Sequence, residues 1–218
     1  MRITLPNWLA YKINTSILED NLLYLISGRV IDLGCGEAPY KEDILKVADE
    51  YIGVDWQNTL HAKGNIDVFA DLTKTLPFPN GYADTVVSFQ VMEHLPEPEF
   101  FLRECFRILK TGGAIFITVP FMWHVHEEPY DYFRFTRYGL EYLLKKVGFV
   151  DISIKENTGF WQTWILKFNY HSTRYARGPL KYLFILIWLI AQVIAPFLDR
   201  YDFNPRECAS YTVIAQKP

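Results

Sequence analysis

The sequence predicts a doubly wound α/β domain, and three features of its first two thirds carry that expectation. Short runs rich in β-branched residues alternate with longer stretches whose apolar residues recur at helical spacing. The joints between them are short, and a glycine bend follows the first run. The runs at 29–33 (RVIDL), 51–55 (YIGVD), 66–70 (IDVFA), 85–89 (TVVSF) and 114–119 (AIFITV) are apolar at most positions. Strands covered on both faces must be.

Residues 97–110 form the clearest expected helix. Phe101, Leu102, Cys105, Phe106 and Leu109 share one face, and Glu99, Arg103, Arg107 and Lys110 fall largely on the other. The Gly112-Gly113 pair is expected to stop this helix. A second helix is expected over 138–147, closed by Gly148, followed by strands over 149–155 and 209–216. Residues 1–27 form a preface with a helix from about residue 15 to residue 26. Residues 157–208 break the rhythm: aromatic residues come first (Phe160, Trp161, Trp164, Phe168, Tyr170), then Arg174, Arg177 and Lys181, then an uncharged run over 182–198. We read 157–208 as an insertion between the last two strands of a single domain spanning 1–218.

Composition narrows the function. Half of the 218 residues are hydrophobic, enough for one sizeable core. A net charge of −3 with no basic run offers nucleic acid no electrostatic footprint. The three cysteines, Cys35, Cys105 and Cys208, show neither metal-ligand nor disulfide-framework spacing, which fits a reducing compartment. The N-terminus lacks the basic–apolar–small pattern of a secretory signal, so the expected location is the cytoplasm.

The strongest chemical signal is Val30-Ile31-Asp32-Leu33-Gly34-Cys35-Gly36, at the junction of the first strand and its helix. Glycines there let backbone amides approach a ligand that a β-carbon would exclude. A dinucleotide fingerprint needs a third glycine where this chain has Pro39. Asp32 repels phosphate and favours a cation, which points to a positively charged, phosphate-free nucleoside such as S-adenosylmethionine. Asp55, ending the second strand, is placed to accept from both ribose hydroxyls, and Trp56 to pack on the adenine. Asp71 and Leu72 end the third strand, the carboxylate suited to the adenine amine and the amide to the ring. Gln90, after the fourth strand, completes the expected cofactor set with Gly34, Cys35 and Gly36. For Cys35 the expected role is through its backbone.

Asp32-Leu33-Gly34-Cys35-Gly36, Asp55, Asp71-Leu72, Leu76-Pro77-Phe78, Val91-Met92-Glu93-His94-Leu95 and Leu109-Lys110-Thr111-Gly112-Gly113 together resemble class I S-adenosylmethionine-dependent methyltransferases of the ubiquinone-methylase-like "type 11" group. The resemblance spans about residues 28–156. It implies a Rossmann-like seven-stranded sheet, mostly parallel with an antiparallel last strand supplied by 209–216, and S-adenosyl-L-methionine as the cofactor. The sequence departs at Ala38-Pro39, where many relatives keep glycine or another small residue.

On this resemblance the acceptor side is built from the loops after strands four and five, 90–98 and 120–136. The second resembles a His-x-x-Pro-x-Asp-x-x-Arg-Tyr/Phe-Thr segment of type 11 enzymes encoded near surface-polysaccharide enzymes. His126 is the candidate base, oriented by Asp131 or Glu127, and Arg134 is a candidate for an anionic acceptor group; the alternative is an Asp131–Arg134 ion pair inside a lid. His94 is a candidate to line the cavity near the methyl group; the alternative is a contact at the helix start. No metal is expected: His124-x-His126 with Glu127 or Glu128 lacks an identifiable fourth ligand.

The run over 182–198 reaches roughly 25 Å at about 1.5 Å per residue, short of a hydrocarbon core of about 30 Å. Pro196 is expected to shorten it further. A single crossing would also put the last strand on the wrong side of the membrane. Three placements remain open: in the membrane interface through residues 174–198, on the membrane's inner face; in a homodimer interface; or as a buried cap on the acceptor pocket. The expected activity is O-methylation of a saccharide or lipid-linked intermediate. A quinone-type small molecule, or a non-catalytic cofactor-binding scaffold in surface-glycan assembly, are the alternatives.

Overall fold

In the computed structural model, which describes residues 5–58 and 63–218 (side chains of 18–24 and 63 excepted), the apolar runs join one sheet. Its strands are β1 (Arg29–Leu33), β2 (Glu50–Asp55), β3 (Val68–Phe69), β4 (Ala83–Phe89), β5 (Leu109–Pro120), β6 (Val150–Glu156) and β7 (Ser210–Gln216), in the order β3-β2-β1-β4-β5-β7-β6. β7 runs antiparallel to β5 and β6, and the other pairs are parallel. The order reverses between β1 and β4, and such a switch opens a crevice at the strands' carboxyl ends.

Alternation along the strands sorts the core onto two faces. Ile31, Leu33, Val86, Ile115 and Ile117 pack with Phe101, Leu102, Cys105 and Ile108 of α3 (Pro98–Ile108) and Leu140 and Leu144 of α4 (Arg137–Val147). Val30, Val87 and Phe116 turn the other way, toward Ile26 and toward Ile44 of the short α2 (Lys41–Ile44). Period-two side chains on parallel strands need cover on both sides, and the helices provide it. Thr136 caps α4 by accepting from Gly139 N at 3.1 Å, and Gly148, at φ 113°, closes it.

Several expected boundaries move. The preface helix α1 begins at Trp8 and ends at Leu25, so it starts about two turns earlier than the local pattern suggests; residues 1–4 of the preface lie outside the described residues. The reason is long-range: Leu9 is buried against Ile165, Leu166 and Ala195. The third strand shrinks to Val68–Phe69 because it sits at the sheet edge with β2 as its single neighbour. Gly112-Gly113 does not stop α3, which ends at Ile108. The pair lies inside β5, where Gly112 N donates to Lys217 O and Lys217 N to Gly113 O, each at 2.9 Å. A β-carbon on Gly113 would come within 2.9 Å of the Asp84 and Lys110 carbonyl oxygens, so glycine serves a close backbone approach there.

Between β6 and β7 the chain forms two packed helices, α5 (Phe160–Ser172) and α6 (Leu180–Tyr201). Pro196 does not end α6, which continues to Tyr201. Packing of Ala195 and Asp199 on either side of the proline holds the helix in place. The two helices are clasped by one carboxylate. Asp199, 4 % exposed, accepts from Gly159 N, Trp161 N and Gln162 N at 2.9, 2.9 and 3.2 Å. It thereby caps the start of α5 from a distant helix, a contribution of about 1–2 kcal/mol. Gln192 similarly ties α6 to the chain's start, accepting from Leu9 N and donating to Leu5 O, both at 2.9 Å.

Candidate active site

The parallel register of β1 and β2 sets Asp32 beside Gly53, so Asp55 ends its strand just beyond the glycine bend. Gly34 and Gly36 both take left-handed backbone angles, φ 78° and 54°. At Gly34 there is no room for a side chain either, since a β-carbon would fall 2.4 Å from Val91 Cγ2. The bend is pinned by Gly34 N and Cys35 N donating to Val54 O, and by Gly36 N donating to Asp55 Oδ2 at 2.9 Å. Asp55 Oδ1 accepts from Trp56 N at 2.7 Å. Ala38 also sits at φ 50°, a left-handed angle that costs a residue with a β-carbon local strain.

Asp32 is almost fully buried. Tyr51 Oη donates to its Oδ2 at 2.6 Å, while Oδ1 has no hydrogen-bond partner. Burial pushes its carboxyl up to about 7, opposed by the Tyr51 hydrogen bond and assisted by the Asp55 charge. An orphaned buried carboxylate oxygen beside a second acid and a glycine bend fits a cationic nucleoside and disfavours a diphosphate. Asp71 lies at the end of the neighbouring strand, but its carboxylate is turned back: Oδ1 accepts from Thr73 N and Oγ1, and Lys74 Nζ lies 3.2 Å from Oδ2. Leu72 is the buried member of that pair. Cys35 is buried and its thiol is pushed up to about 12 by desolvation, so its contribution is through the backbone.

These positions give a pH prediction. Because the folded Asp32 pKa lies above its ordinary value, the folded chain holds more protons than the unfolded one between about pH 4 and 7; Asp32 therefore costs stability increasingly as pH rises through that window. A cationic ligand favours the ionised form. Affinity for S-adenosylmethionine should then rise by up to roughly tenfold from pH 6 to pH 8, and Asp32→Asn should bind weakly with a flat profile. Calorimetry across that range checks both.

The acceptor side begins next to the bend, since Val91 touches Gly34. Gln90, at φ 56°, is held by its N and Nε2 donating to Thr118 O and Oγ1 at 3.0 and 3.1 Å. His94 and His126 meet edge to face with centroids 4.9 Å apart. His94 Nδ1 lies 2.7 Å from Tyr130 O, which as an acceptor puts the proton on Nδ1 and leaves Nε2 a lone pair. Tyr130 in turn packs its ring edge-on to Trp56, 5.6 Å between centroids, joining the second-strand edge to this loop. His126 Nδ1 lies 3.3 Å from Asp131 Oδ2. Burial, chiefly, holds His126 below the usual histidine range, and burial does the same for His124.

Arg134 is committed to the protein. It pairs with both Asp131 oxygens at 2.6 and 2.7 Å and donates to the carbonyls of Trp123, Phe133 and His124. The guanidinium therefore ties the loop over 123–134 together. The Arg134 hydrogen bonds, chiefly, hold Asp131 well below the usual carboxylate range. Asp131 and Arg134 are thus positioning residues in this geometry, with His94, His126 and Gln90 at the surface they support.

Glu93, which the sequence reading left out of the site, joins it here. It sits in the turn Met92–His94, fully buried, with neither carboxylate oxygen hydrogen-bonded; burial pushes it up to about 8. The available signal was an acid inside the otherwise apolar Val91-Met92 … Leu95 run. Beyond His124 a cavity of about 670 Å³ opens between α5 and the loop after β5, walled by Met122, Phe160, Trp164, Phe168 and Tyr170.

Comparison with known proteins agrees with this geometry. Residues 31–117 match the family model described as a methyltransferase domain. The chain is 34 % identical over 110 residues to a probable S-adenosylmethionine-dependent methyltransferase of Mycolicibacterium smegmatis, covering 48 % of this chain and 43 % of that protein. It is 29 % identical over 98 residues to a ubiquinone biosynthesis O-methyltransferase of Rhizobium etli, covering 41 % and 40 %. The chain thus spans less than half the length of these curated relatives. An S-adenosylmethionine-dependent methyltransferase structure from Archaeoglobus fulgidus shares the fold, with a TM-score of 0.63 at 20 % identity over 94 % of both chains.

Proposed function

We infer that this chain, whose residues 31–117 match the methyltransferase-domain family, is an S-adenosylmethionine-dependent O-methyltransferase for a saccharide or lipid-linked intermediate. The observation that carries the reading is the continuity of one surface. Contacts run from Trp56, next to Asp55, through Tyr130 to His94 and His126, and on to His124, which lines the apolar cavity. When bound, S-adenosylmethionine supplies a methyl group activated by its sulfonium. Asp32, Gly34, Gly36 and Asp55 are the residues placed to hold it, with Trp56, Leu72 and Gln90 at the margin. His126 is placed to take the proton of an acceptor hydroxyl. Arg134 and Asp131 keep that loop in position, and the aromatic wall excludes water.

The lipid-linked part of the reading is supported by α6. Its inward face carries Trp188, Gln192, Ala195 and Asp199, whereas Leu183, Leu186, Leu189, Ile190, Val193, Ile194 and Phe197 are exposed. A helix with its polar groups inside and its aliphatic face outside needs an apolar partner, and we assign it to an anionic membrane surface. Exposed Arg174, Arg177 and Lys181 stand at its start, with Tyr175 and Tyr182 beside them, the combination that headgroups attract. Both ends of the α5–α6 unit return to the sheet, so the helix lies along the membrane rather than across it. A second reading, a lipid-tailed phenol of the quinone type, is favoured by the ubiquinone-methylating relative and uses the same cavity.

The test is methyl transfer. Tritiated S-adenosylmethionine should label a hydroxyl-bearing lipid or glycan in an extract of the source cells. His126→Ala and Arg134→Ala should each lower that labelling by roughly a hundredfold or more while leaving S-adenosylhomocysteine affinity within about threefold. A chain that binds the cofactor but labels nothing is a scaffold, and variants that label as well as the parent remove His126 and Arg134 from the site.

A further inference from the structure

We propose that Glu93, His94 and His126 form a binding site for a first-row divalent cation, Zn²⁺ or Mn²⁺, at the acceptor side of the sheet. One ligand atom from each of the three lies within 4.8 Å of the other two. Donors sharing such an ion stand about 3–3.5 Å apart, so the side chains need to draw in by roughly 1 Å, a matter of small torsional changes.

The first independent observation is Glu93. Both its oxygens are buried without a hydrogen-bond partner, and Oε1 lies 3.8 Å from His94 Nε2. Packing does not account for a fully buried acid with neither oxygen satisfied, whereas a cation between it and two imidazoles does. The second is the way the two rings are held. Metal-binding histidines usually give their other ring nitrogen to a backbone carbonyl or a carboxylate, which fixes tautomer and orientation. His94 Nδ1 meets Tyr130 O at 2.7 Å and His126 Nδ1 lies 3.3 Å from Asp131 Oδ2. His94 therefore has the outer acceptor that such ligands need, whereas His126 Nδ1 stands between Asp131 Oδ2 and Arg134 Nη2, the latter at 3.4 Å, and must turn from the guanidinium to the carboxylate when the ion binds. Glu127 adds a further carboxylate, its Oε2 3.8 Å from His94 Nε2.

Two imidazoles and one carboxylate leave coordination positions open on the side of the acceptor cavity. A hydroxyl oxygen bound there gives up its proton more readily, the proton passing to water, and with the ion present His126 serves the reaction as a ligand in place of the base. The oxygen then forms its bond to the methyl carbon as the carbon–sulfur bond breaks, and that electron pair stays on sulfur. This inference goes beyond the methyl-transfer reading, because ion binding is measured with neither cofactor nor acceptor present.

The experiment uses the full chain without an affinity tag, stripped with chelator and dialysed against Zn²⁺, with Mn²⁺ followed in parallel by electron paramagnetic resonance. One ion should bind per chain. Glu93→Gln, which keeps the side chain's shape, and His94→Ala should each weaken binding by roughly a hundredfold, with far-ultraviolet dichroism unchanged. No binding of either ion at millimolar concentration overturns the proposal. So does a Glu93→Gln or His94→Ala chain that is folded and binds as tightly as the parent. Methyl transfer that fails while the ion binds contradicts the proposed function alone; transfer that survives chelation separates the ion from the reaction without removing the site.

Discussion

Asp55→Ala should lose at least about a hundredfold in affinity for S-adenosylmethionine, whereas Asp71→Ala should lose less than about tenfold. The asymmetry follows from where the two carboxylates point. Asp55 is 8 % exposed, and its two oxygens each accept one backbone N–H of the bend, Gly36 and Trp56. Each oxygen keeps a lone pair for a ribose hydroxyl, and charge-assisted bonds of that kind contribute about 1.5–3 kcal/mol each. Removing the carboxylate also frees the Gly36 amide, so the ligand and the turn that holds it loosen together. Asp71, by contrast, spends its oxygens on Thr73 and Lys74. Titration calorimetry of the two variants beside the parent gives the ranking, and equal losses would mean that the bend is not where the ribose sits.

Placing two glutamates on the outer face of α6, by Ile190→Glu and Phe197→Glu together, should abolish binding to vesicles rich in anionic lipid. These side chains are 50 % and 60 % exposed and lie two turns apart on one face. Each contributes about 1.5–3 kcal/mol when moved from water into an apolar phase, and a carboxylate in its place opposes insertion and repels the headgroups. Because neither side chain is packed inside the domain, the thermal midpoint should stay within a few degrees. Vesicle co-sedimentation of the parent and the double variant, with sedimentation analysis of each, reads the outcome. A parent that ignores vesicles, and whose dimer the same substitutions dissociate, would assign this face to a second copy of the chain instead.

Local patterning made most of the sheet legible. β1, β2, β4 and β5 contain the apolar runs read from sequence, and β7 falls within one residue of its expected span. Thr136 and Gly148 announced α4 because capping is a local affair. Misplaced elements were those decided at long range. Leu9 starts α1 early because it meets Ile165 and Ala195, and Pro196 is carried inside α6 by Asp199, which clasps α5. Of the site, the bend and its acids could be read because their chemistry is written at one strand end. Glu93 could not, since its meaning comes from burial, and burial depends on the loop that Arg134 ties together, whose Tyr132 and Phe133 amides donate to the Glu93 carbonyl. The orientation of Asp71 was equally out of reach, being set by a hydrogen bond to Thr73 that competes with any ligand.

On the proposed function, the carboxyl ends of β1 and β2, around the Gly34–Gly36 bend, hold a cationic adenosine derivative. Calorimetric titration of the purified chain with S-adenosylmethionine, and separately with NADH, tests it most directly. One molecule of S-adenosylmethionine should bind per chain, S-adenosylhomocysteine should displace it, and NADH should give no heat. Heat from NADH, or none from S-adenosylmethionine at millimolar concentration, would contradict the claim.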